Sequence, residues 1–391
     1  MKDQYDVVVI GGGVFGSAVT YELAKRSVSV LLVDKQLPGR ATSASAGGLW
    51  PVGESIGLGC GVIYHANEGG EQANQLPPQL PQCFQQFLQE SHRCFPQLAE
   101  DLLELSGVDI EFEVGPGLFY GAYDDQEQQM IRSIAAGLSE ESQLSILTPG
   151  YIKELEPLLS EQFIGGGLLP GESQVNPMAL AEAYKRAALR LGAEFKSGLV
   201  QRLLTSQGRV NQAVLQDGSI SANTFVNAAG SWSRSLAQSA GLELPVTPIR
   251  GQVVLTETLP KIMNLSISTT QCYLLQKKHG EILIGSTTED AGFDVSVTPE
   301  AIGQLCRGAI RAIPMLEAVS VKRTWAGLRP GTSDELPILG PVPDLEGYVN
   351  ATGGFRTGIV ASPLAGIMIA QSIVGEPLRF GIEPYLAERF L

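Results

Sequence analysis

The feature that most constrains this chain is a strand, a glycine-rich turn and a helix close to its beginning. Asp6-Val-Val-Val-Ile10 is a continuous apolar run of the kind found in buried parallel strands. Gly11-Gly-Gly13 ends this run, and the segment from Ser17 to Arg26 has the composition of a helix. A second apolar run extends from Val28 to Val33. Together these segments predict a βαβ unit, and therefore a parallel sheet covered by helices.

The spacing of the glycines is suited to a dinucleotide. In Gly11-x-Gly13-x-x-Gly16, the first glycine allows a tight turn, the second lets a pyrophosphate approach the backbone, and the third lets helix and strand pack closely. The N–H groups at the helix start would bind the phosphates. Asp34 follows Gly16 by 18 residues, where an acid can accept a ribose hydroxyl. The alternative is an ordinary glycine-rich turn, with Asp34 facing solvent.

Composition and charge argue against several other classes of protein. The 391 residues include 45 glycines, and Lys+Arg number 27 against Asp+Glu 41, a net charge of −14. So acidic a chain is not expected to bind nucleic acid, or to bind a membrane through a basic patch. The five cysteines are scattered and the three histidines lack metal-ligand spacing, so we expect reduced thiols and no metal site.

We expect a cytoplasmic protein without a transmembrane segment. The first residues lack the basic region and the long apolar stretch of a secretory signal. The most apolar stretch, 359–370, is too short to span a bilayer and contains Pro363 and Gly366. Peripheral contact with a membrane stays open.

A hydroxyl-rich segment directly after Asp34 extends the dinucleotide prediction. Thr42 and Ser43 could contact a second set of phosphate oxygens, and Gly47-Gly48 could lie against a flat ring. Val226-Asn-Ala-Ala-Gly-Ser-Trp232 is a second strand-to-glycine turn, suited to the adenosine side.

A third glycine turn, from Asn350 to Ile359, precedes the last helix. Its N–H groups could stabilise negative charge on the N1–C2=O edge of a reduced flavin. Each of these segments alone could be an ordinary turn. Their occurrence together favours FAD over NAD as the cofactor.

The remaining patterns predict further elements. Asn176-Pro177 should begin a helix, and Lys277 to Gly280 should join two strands as a hairpin. Ser362-Pro363 should cap a final helix that ends at Gly375. Residues 53–82 are predicted to form a long surface loop. Parallel-type units alternate with antiparallel-looking segments, which indicates two interleaved domains.

Together these residues resemble the D-amino-acid-oxidase-type family of FAD-dependent amine and amino-acid oxidoreductases, nearest to its glycine oxidase and D-amino-acid dehydrogenase branch. The resemblance covers nearly the whole chain. Its motifs are Val7-Val-Ile-Gly-Gly-Gly-Val-Phe-Gly16, Ala41-Thr-Ser43 with Gly47-Gly-Leu49, Val175-Asn-Pro177, Asn227-Ala-Ala-Gly-Ser-Trp232, Pro248-Ile-Arg-Gly-Gln252, Trp325-Ala-Gly-Leu-Arg-Pro330 and Ala351-Thr-Gly-Gly-Phe-Arg-Thr-Gly358.

The resemblance implies a fold of class α/β plus α+β. A Rossmann-like FAD-binding domain, formed by 1–84, 165–240 and 326–391, would be interleaved with an antiparallel-sheet substrate-binding domain, formed by 85–164 and 241–325.

The resemblance also implies site residues. Val200 would meet the adenine through its backbone, and Gly354 to Ile359 would line the isoalloxazine. The glycines of Gly11-x-Gly13-x-x-Gly16, here called the fingerprint glycines, and the turn after Val226 complete the set. The expected cofactor-binding residues are Gly11, Gly13, Val14, Phe15, Gly16, Asp34, Lys35, Thr42, Ser43, Gly47, Gly48, Leu49, Val200, Ala228, Gly230, Trp232, Gly354, Phe355, Arg356, Thr357, Gly358 and Ile359.

On the substrate side the resemblance implies that Arg329 binds the substrate carboxylate and that Tyr273 lies opposite. Arg329 could instead be structural, bonded to a loop carbonyl or to Asp334. Tyr273 could be a half-buried strand tyrosine. Arg356 either supports the reduced flavin or is a surface arginine.

Three departures from the family pattern fall on the expected substrate side. Gly354 stands where the family often has histidine, Gln276 where proline is usual, and the 53–82 segment is unlike the expected entrance. Since no cysteine follows Cys306 and no histidine follows His279, FAD attachment from the C-terminal segment is excluded and we expect non-covalent FAD.

The implied reaction is hydride transfer from the amine-bearing carbon of a small amino acid or amine to flavin N5. Water would hydrolyse the imine to a keto acid and ammonia, and oxygen or a quinone would accept the electrons. Two alternatives remain: a dehydrogenase that uses a quinone or a partner protein, and a flavin-binding protein with a non-catalytic pocket.

Overall fold

The computed structural model describes residues 4–58, 79–138 and 143–390. Its strands, in chain order, are β1 (Gln4–Ile10), β2 (Val30–Asp34), β3 (Gly48–Leu49), β4 (Leu118–Ala122), β5 (Ser145–Leu147), β6 (Gly165–Leu169), β7 (Ser173–Gln174), β8 (Glu194–Ser197), β9 (Val200–Ser206), β10 (Arg209–Leu215), β11 (Gly218–Asn227), β12 (Thr247–Thr258), β13 (Ser266–Ser268), β14 (Tyr273–Gln276), β15 (Glu281–Gly285), β16 (Val321–Gly331), β17 (Ile338–Val342) and β18 (Leu345–Thr352).

The α-helices of the same residues are α1 (Val14–Lys25), α2 (Ala41–Ala44), α3 (Pro51–Ser55), α4 (Gln82–His92), α5 (Phe95–Ser106), α6 (Asp125–Gly137), α7 (Pro149–Leu155), α8 (Pro177–Arg190), α9 (Ser233–Ser239), α10 (Pro299–Ala312) and α11 (Gly358–Val374). The predicted 53–82 loop lies largely outside the described residues, and its first part belongs to α3.

The first sheet has β1 at its centre, parallel to β11 on one side and to β2 on the other. β8 continues the parallel order beyond β2, and β18 lies parallel to β11. β17 and β10 add antiparallel partners, and β9 pairs with β10. This confirms the predicted mixed α/β architecture.

Apolar side chains cover both faces of the first sheet. Val7 and Val9 of β1 point into a core formed with α1, α8 and α11, whereas Val8 and Ile10 point into a second core on the opposite face. Because successive side chains alternate between faces, a strand covered on both faces must be apolar throughout. The uninterrupted run in β1 is therefore explained by an apolar core on each face of the sheet.

The second sheet has the order β16-β12-β15-β14-β13-β4-β6-β5. Its neighbouring strands are antiparallel, except that β13 runs parallel to β4. α10 packs on one face through Leu305 and Ala309, and the other face turns Tyr273 and Leu283 towards Trp50. This second face contributes one wall of the cleft, through Tyr273.

The strands of the first sheet come from three separate stretches of the chain, and the second sheet takes β4 to β6 and β12 to β16 from between them. β6, from Gly165, and the last residues of β16, up to Gly331, lie in the second sheet, although the FAD-binding domain is predicted to include 165–240 and 326–391. The domain bounds stay a prediction. Lys277 to Gly280 joins β14 and β15 as the predicted hairpin. Among the described residues no helix is long and apolar enough to cross a membrane, and no group of His, Cys, Asp and Glu could hold a metal ion.

The start of the last helix differs from the prediction. α11 begins at Gly358, not at Ser362-Pro363, and Pro363 lies inside it. A proline removes one N–H from the helix ladder, which would leave the Ile359 carbonyl without its usual donor. The Ser362 hydroxyl donates to this carbonyl at 2.9 Å, so the helix continues to Val374 and ends at left-handed Gly375, as predicted.

Candidate active site

Three glycine turns meet at one edge of the first sheet. Ile10 of β1, Asn227 of β11 and Asn350 of β18 are level with one another in adjacent parallel strands. Because parallel strands end at the same edge, the turns that follow them converge there. They line one cleft, with a cavity volume of about 350 Å³.

The fingerprint glycines are required by close packing. Gly11 has φ of +108°, and a Cβ there would lie 2.3 Å from the Ala228 carbonyl oxygen. A Cβ on Gly16 would lie 1.9 Å from the Gly11 carbonyl oxygen, so only glycine allows α1 to approach β1 this closely. Gly16 therefore acts through packing, as the sequence indicated, and does not line the cavity.

The N-terminus of α1 faces the cleft and is flanked by the predicted polar residues. The Val14 N–H donates to Thr42 Oγ1 at 3.0 Å. Asp34 ends β2, and its carboxylate accepts from Arg40 Nη1 at 3.2 Å. A Cβ on Gly12 would lie 2.9 Å from Asp34 Oδ2, so the glycine backbone leaves room for this carboxylate. Sequence reasoning missed Arg40, although it stands directly before Ala41-Thr-Ser43.

Most of the predicted cofactor-binding residues line this cavity. The exceptions are Gly16, Ser43, Leu49 and Thr357. The Ser43 hydroxyl donates to the Arg40 carbonyl, and the Thr357 hydroxyl donates to the Gly354 carbonyl. Leu49 is fully buried in the core of the first sheet. The Ser43 and Thr357 hydroxyls therefore bond to carbonyls of their own turns, and the Leu49 side chain packs in the core.

Arg329 enters the cavity from β16. Its Nη1 donates to the Thr287 carbonyl at 3.0 Å, and its Nη2 donates to the Ser286 hydroxyl. The guanidinium lies over Gly251 of β12, where a Cβ would be 2.4 Å from Nη1. The predicted alternative of a bond to a loop carbonyl is therefore present, and it coexists with a position in the cavity lining. Asp334 is bonded to Arg389 at 2.6 Å.

Tyr273 lies on the second sheet and lines the same cavity. It is 4% exposed, so it is buried and not half-buried. Its ring lies over Gly285, where a Cβ would be 2.3 Å from the hydroxyl oxygen, and meets Trp50 edge-to-face at a centroid distance of 5.6 Å. Trp50 lines the cavity as well.

Arg356 is not a surface arginine. Its side chain is 7% exposed, its Nη2 is bonded to Glu335, and its Nε lies 3.7 Å from Glu54 Oε2. Two carboxylates therefore already face its positive charge. Sequence reasoning missed Glu54, because this residue falls within the predicted 53–82 loop.

A buried glutamate holds the helix that carries Glu54. Glu172 accepts the Val52 and Gly53 N–H groups at 3.0 and 2.9 Å. Burial raises the pKa of Glu172 to about 8. This carboxyl therefore keeps its proton to a higher pH than an exposed glutamate does.

Two of the departures from the family pattern have local explanations. A Cβ on Gly354 would lie 2.9 Å from Phe15 Cζ, so the Phe15 ring occupies the space of a larger side chain.

The Gln276 amide accepts from the Ile262 and Met263 N–H groups and donates to the Pro260 and Gly280 carbonyls. Gln276 therefore fixes the neighbouring 260–263 loop and does not line the cavity, which corrects its assignment to the substrate side.

Comparison with known proteins agrees with this geometry. The family model described as "FAD dependent oxidoreductase" matches residues 6–372. The chain is 42% identical to "Hydrogen cyanide synthase subunit HcnC" of Pseudomonas aeruginosa, covering 100% of this chain and 97% of that protein. It is 30% identical to "Glycine oxidase" of Geobacillus kaustophilus, over 100% and 98%. The crystal structure of glycine oxidase from that organism superposes with a TM-score of 0.87 at 28% identity, covering 100% of both chains.

The residues of the cleft fit the FAD that this family uses. Glycines at positions 11, 12 and 47 keep the backbone open where a Cβ would collide, and the N-terminus of α1 offers amide groups to a pyrophosphate. Asp34 ends β2 beside this helix start, in the position of a ribose-binding acid. On the family match, the two relatives and this fit, the chain belongs to the D-amino-acid-oxidase-type family of FAD-dependent oxidoreductases.

Proposed function

We propose that this protein oxidises the C–N bond of a small amino acid whose carboxylate binds Arg329. The supporting observation is the Arg329 guanidinium, which lines the cavity while donating to Thr287 and Ser286. A guanidinium has five N–H donors, so these two bonds leave three for a ligand. Arginine binds carboxylates through two parallel N–H bonds, which fix the orientation as well as the affinity.

The surroundings of Arg329 favour a small substrate. Tyr273 and Trp50 close this part of the cavity with an edge-to-face aromatic pair, and both are almost fully buried. Relatives named glycine oxidase and hydrogen cyanide synthase subunit agree with a small amino acid.

The chain's own contribution is orientation and exclusion of water. FAD supplies the hydride acceptor when bound. Arg329 would hold the substrate so that its amine-bearing carbon occupies one place in the cleft, which removes most of the orientational freedom from the reaction. Trp50 and Tyr273 would keep water from that carbon during oxidation. The product would be an imine, which water converts to a keto acid and ammonia.

The electron acceptor is oxygen or a quinone, or it is a partner protein. The relative at 42% identity is named as a subunit of a synthase, which favours a dehydrogenase that transfers electrons within an assembly. Peroxide formation in air, compared with reduction of a quinone-like dye, separates an oxidase from a dehydrogenase.

The test is anaerobic titration of the purified holoenzyme with individual amino acids, followed by bleaching of the flavin absorbance. We expect a small amino acid to bleach the flavin, and Arg329→Met to raise the concentration needed by about 100-fold or more, because a charge-assisted pair is lost. Arg323→Met is the matched control, since Arg323 is an exposed residue of the same strand.

Two results would contradict the proposal. If dithionite bleaches the flavin but no amino acid does, the pocket is non-catalytic. If Arg329→Met behaves like Arg323→Met, the carboxylate binds elsewhere.

A further inference from the structure

Lys277 is a turn residue whose ammonium is directed into the protein. It follows β14 in the hairpin that carries Tyr273. Its Nζ donates to the Ala46 carbonyl at 2.9 Å, the Val175 carbonyl at 3.0 Å and Gln174 Oε1 at 3.2 Å. An ammonium has three N–H donors, so all of them are used.

The contacts of this lysine are unlike those of an ordinary surface lysine. Its three acceptors are neutral, whereas the next residue, Lys278, is exposed and bonded to Asp109. The nearby carboxylates of Glu111 and Glu113 face His279 and Lys261. Burial without a bonded carboxylate lowers the pKa of Lys277 to about 8. Such a charge is costly to bury, so its retention needs a reason.

The acceptors belong to the predicted cofactor loop and to the strand that supports it. Ala46, Gly47 and Gly48 line the cavity, and Gly48 pairs with Gln174 across β3 and β7. The Gly47 carbonyl accepts the Val175 N–H at 2.9 Å. A Cβ on Gly47 would lie 2.1 Å from the Val175 carbonyl oxygen, so loop and support are in close contact.

The ammonium thus connects the two walls of the cleft. One wall is the 46–48 loop, whose Gly47-Gly48 is predicted to lie against the flavin ring. The other is the β14–β15 hairpin, which begins with Tyr273 and leads into Ser286, the hydrogen-bond partner of Arg329. Lys277 itself does not line the cavity, so it can act only through the residues it holds.

We propose that Lys277 is a positioning residue that ties the substrate-side hairpin to the Ala46–Gly48 loop and thereby sets where the FAD ring lies relative to Tyr273 and Arg329. The inference requires that the chain binds FAD, which is a property of its family. It does not depend on which amine is oxidised, or on whether the proposed amino-acid oxidation is correct.

The experiment compares Lys277→Met with Lys278→Met, two substitutions at adjacent positions of one turn. For each variant, the apoprotein is titrated with FAD by fluorescence, the visible spectrum of bound flavin is recorded, and the melting temperature of the apoprotein is measured. We expect the FAD dissociation constant of Lys277→Met to rise at least tenfold and its flavin bands to shift. Lys278→Met should match the wild-type protein in both readouts.

A second variant keeps the inference testable if Lys277→Met does not fold. Lys277→Gln retains an N–H donor but no charge, and we expect a smaller rise in the FAD dissociation constant with a band shift in the same direction. Wild-type affinity and spectrum in folded Lys277 variants would overturn the proposal. So would a lower melting temperature of the apoprotein with unchanged FAD affinity and spectrum, because Lys277 would then serve stability alone.

Discussion

Replacing Gly251 by alanine should move the Arg329 guanidinium without unfolding the protein. Gly251 lies on β12 opposite Gly327 of β16, two residues before Arg329. A Cβ at Gly251 would lie 2.4 Å from Nη1, 2.5 Å from Nη2 and 2.6 Å from Cζ of Arg329. Ordinary contacts begin at 3.4 Å, so the guanidinium must retreat by about 1 Å.

This displacement should affect substrate binding more than stability. Gly251 is not among the glycines with positive φ, so alanine fits its backbone conformation. The group that must move is the end of a flexible side chain, and its bonds to Ser286 and Thr287 must shift with it. A misplacement of about 1 Å can reduce a rate about 100-fold, which corresponds to about 2.7 kcal/mol.

The assay is steady-state oxidation of the amino acid that bleaches the flavin most readily, together with thermal melting of the holoenzyme. We expect kcat/KM to fall about 100-fold, with little change in melting temperature. Gly150→Ala is the control, because a Cβ on this glycine has no neighbour within 4 Å. An unchanged kcat/KM in a well-folded Gly251→Ala variant would refute the placement of the substrate carboxylate on Arg329.

Three further substitutions test other contacts of the cleft. Ser286→Ala removes a charge-assisted bond to Arg329, so KM should rise about tenfold while kcat changes little. Ser286→Thr keeps the hydroxyl and should restore the wild-type KM. Equal KM values for the alanine and threonine variants would contradict this role. Gly354→Ala places a Cβ 2.9 Å from the Phe15 ring and should weaken FAD binding about tenfold, which fluorescence titration of the apoprotein measures. Folding raises the pKa of Glu172 from 4.5 to about 8. The stability that Glu172 contributes is therefore present below pH 4.5 and is lost as the pH rises through 8. Since glutamine does not titrate, the melting temperature of Glu172→Gln should fall less between about pH 6 and 9 than that of the wild-type protein.

The local elements near the start of the chain could be predicted because they depend on short patterns. The apolar run before Gly11 and the glycine spacing after it determine a strand, a turn and a helix without help from distant residues. Asn176 caps α8 by accepting from two N–H groups of its first turn, as the sequence indicated. The predicted cofactor-binding residues come from such turns and from the resemblance, and most of them line the cleft.

Contacts between distant segments could not be predicted in the same way. Ser286 meets Arg329 only because β15, β12 and β16 pair in one register, and no pattern within either segment specifies that register. The Glu335–Arg356 bond depends in the same way on the loop before β17 folding back on the turn after β18. The predicted helix start at Ser362-Pro363 was wrong for a different reason. The Ser362 hydroxyl donates to the Ile359 carbonyl in place of the N–H that Pro363 lacks, so the helix can begin earlier and include the proline.

The order of strands in the first sheet affects how the protein can be made. The turns after β1 and β11 emerge early from the ribosome, but the third turn follows β18, which ends at Thr352. Until translation has passed Thr352, a nascent chain lacks the strand that pairs with β17, and until it has passed Ile359 it lacks the last wall of the cleft. We therefore expect FAD to bind only after this segment has been synthesised, so that a chain stalled before β18 would stay colourless.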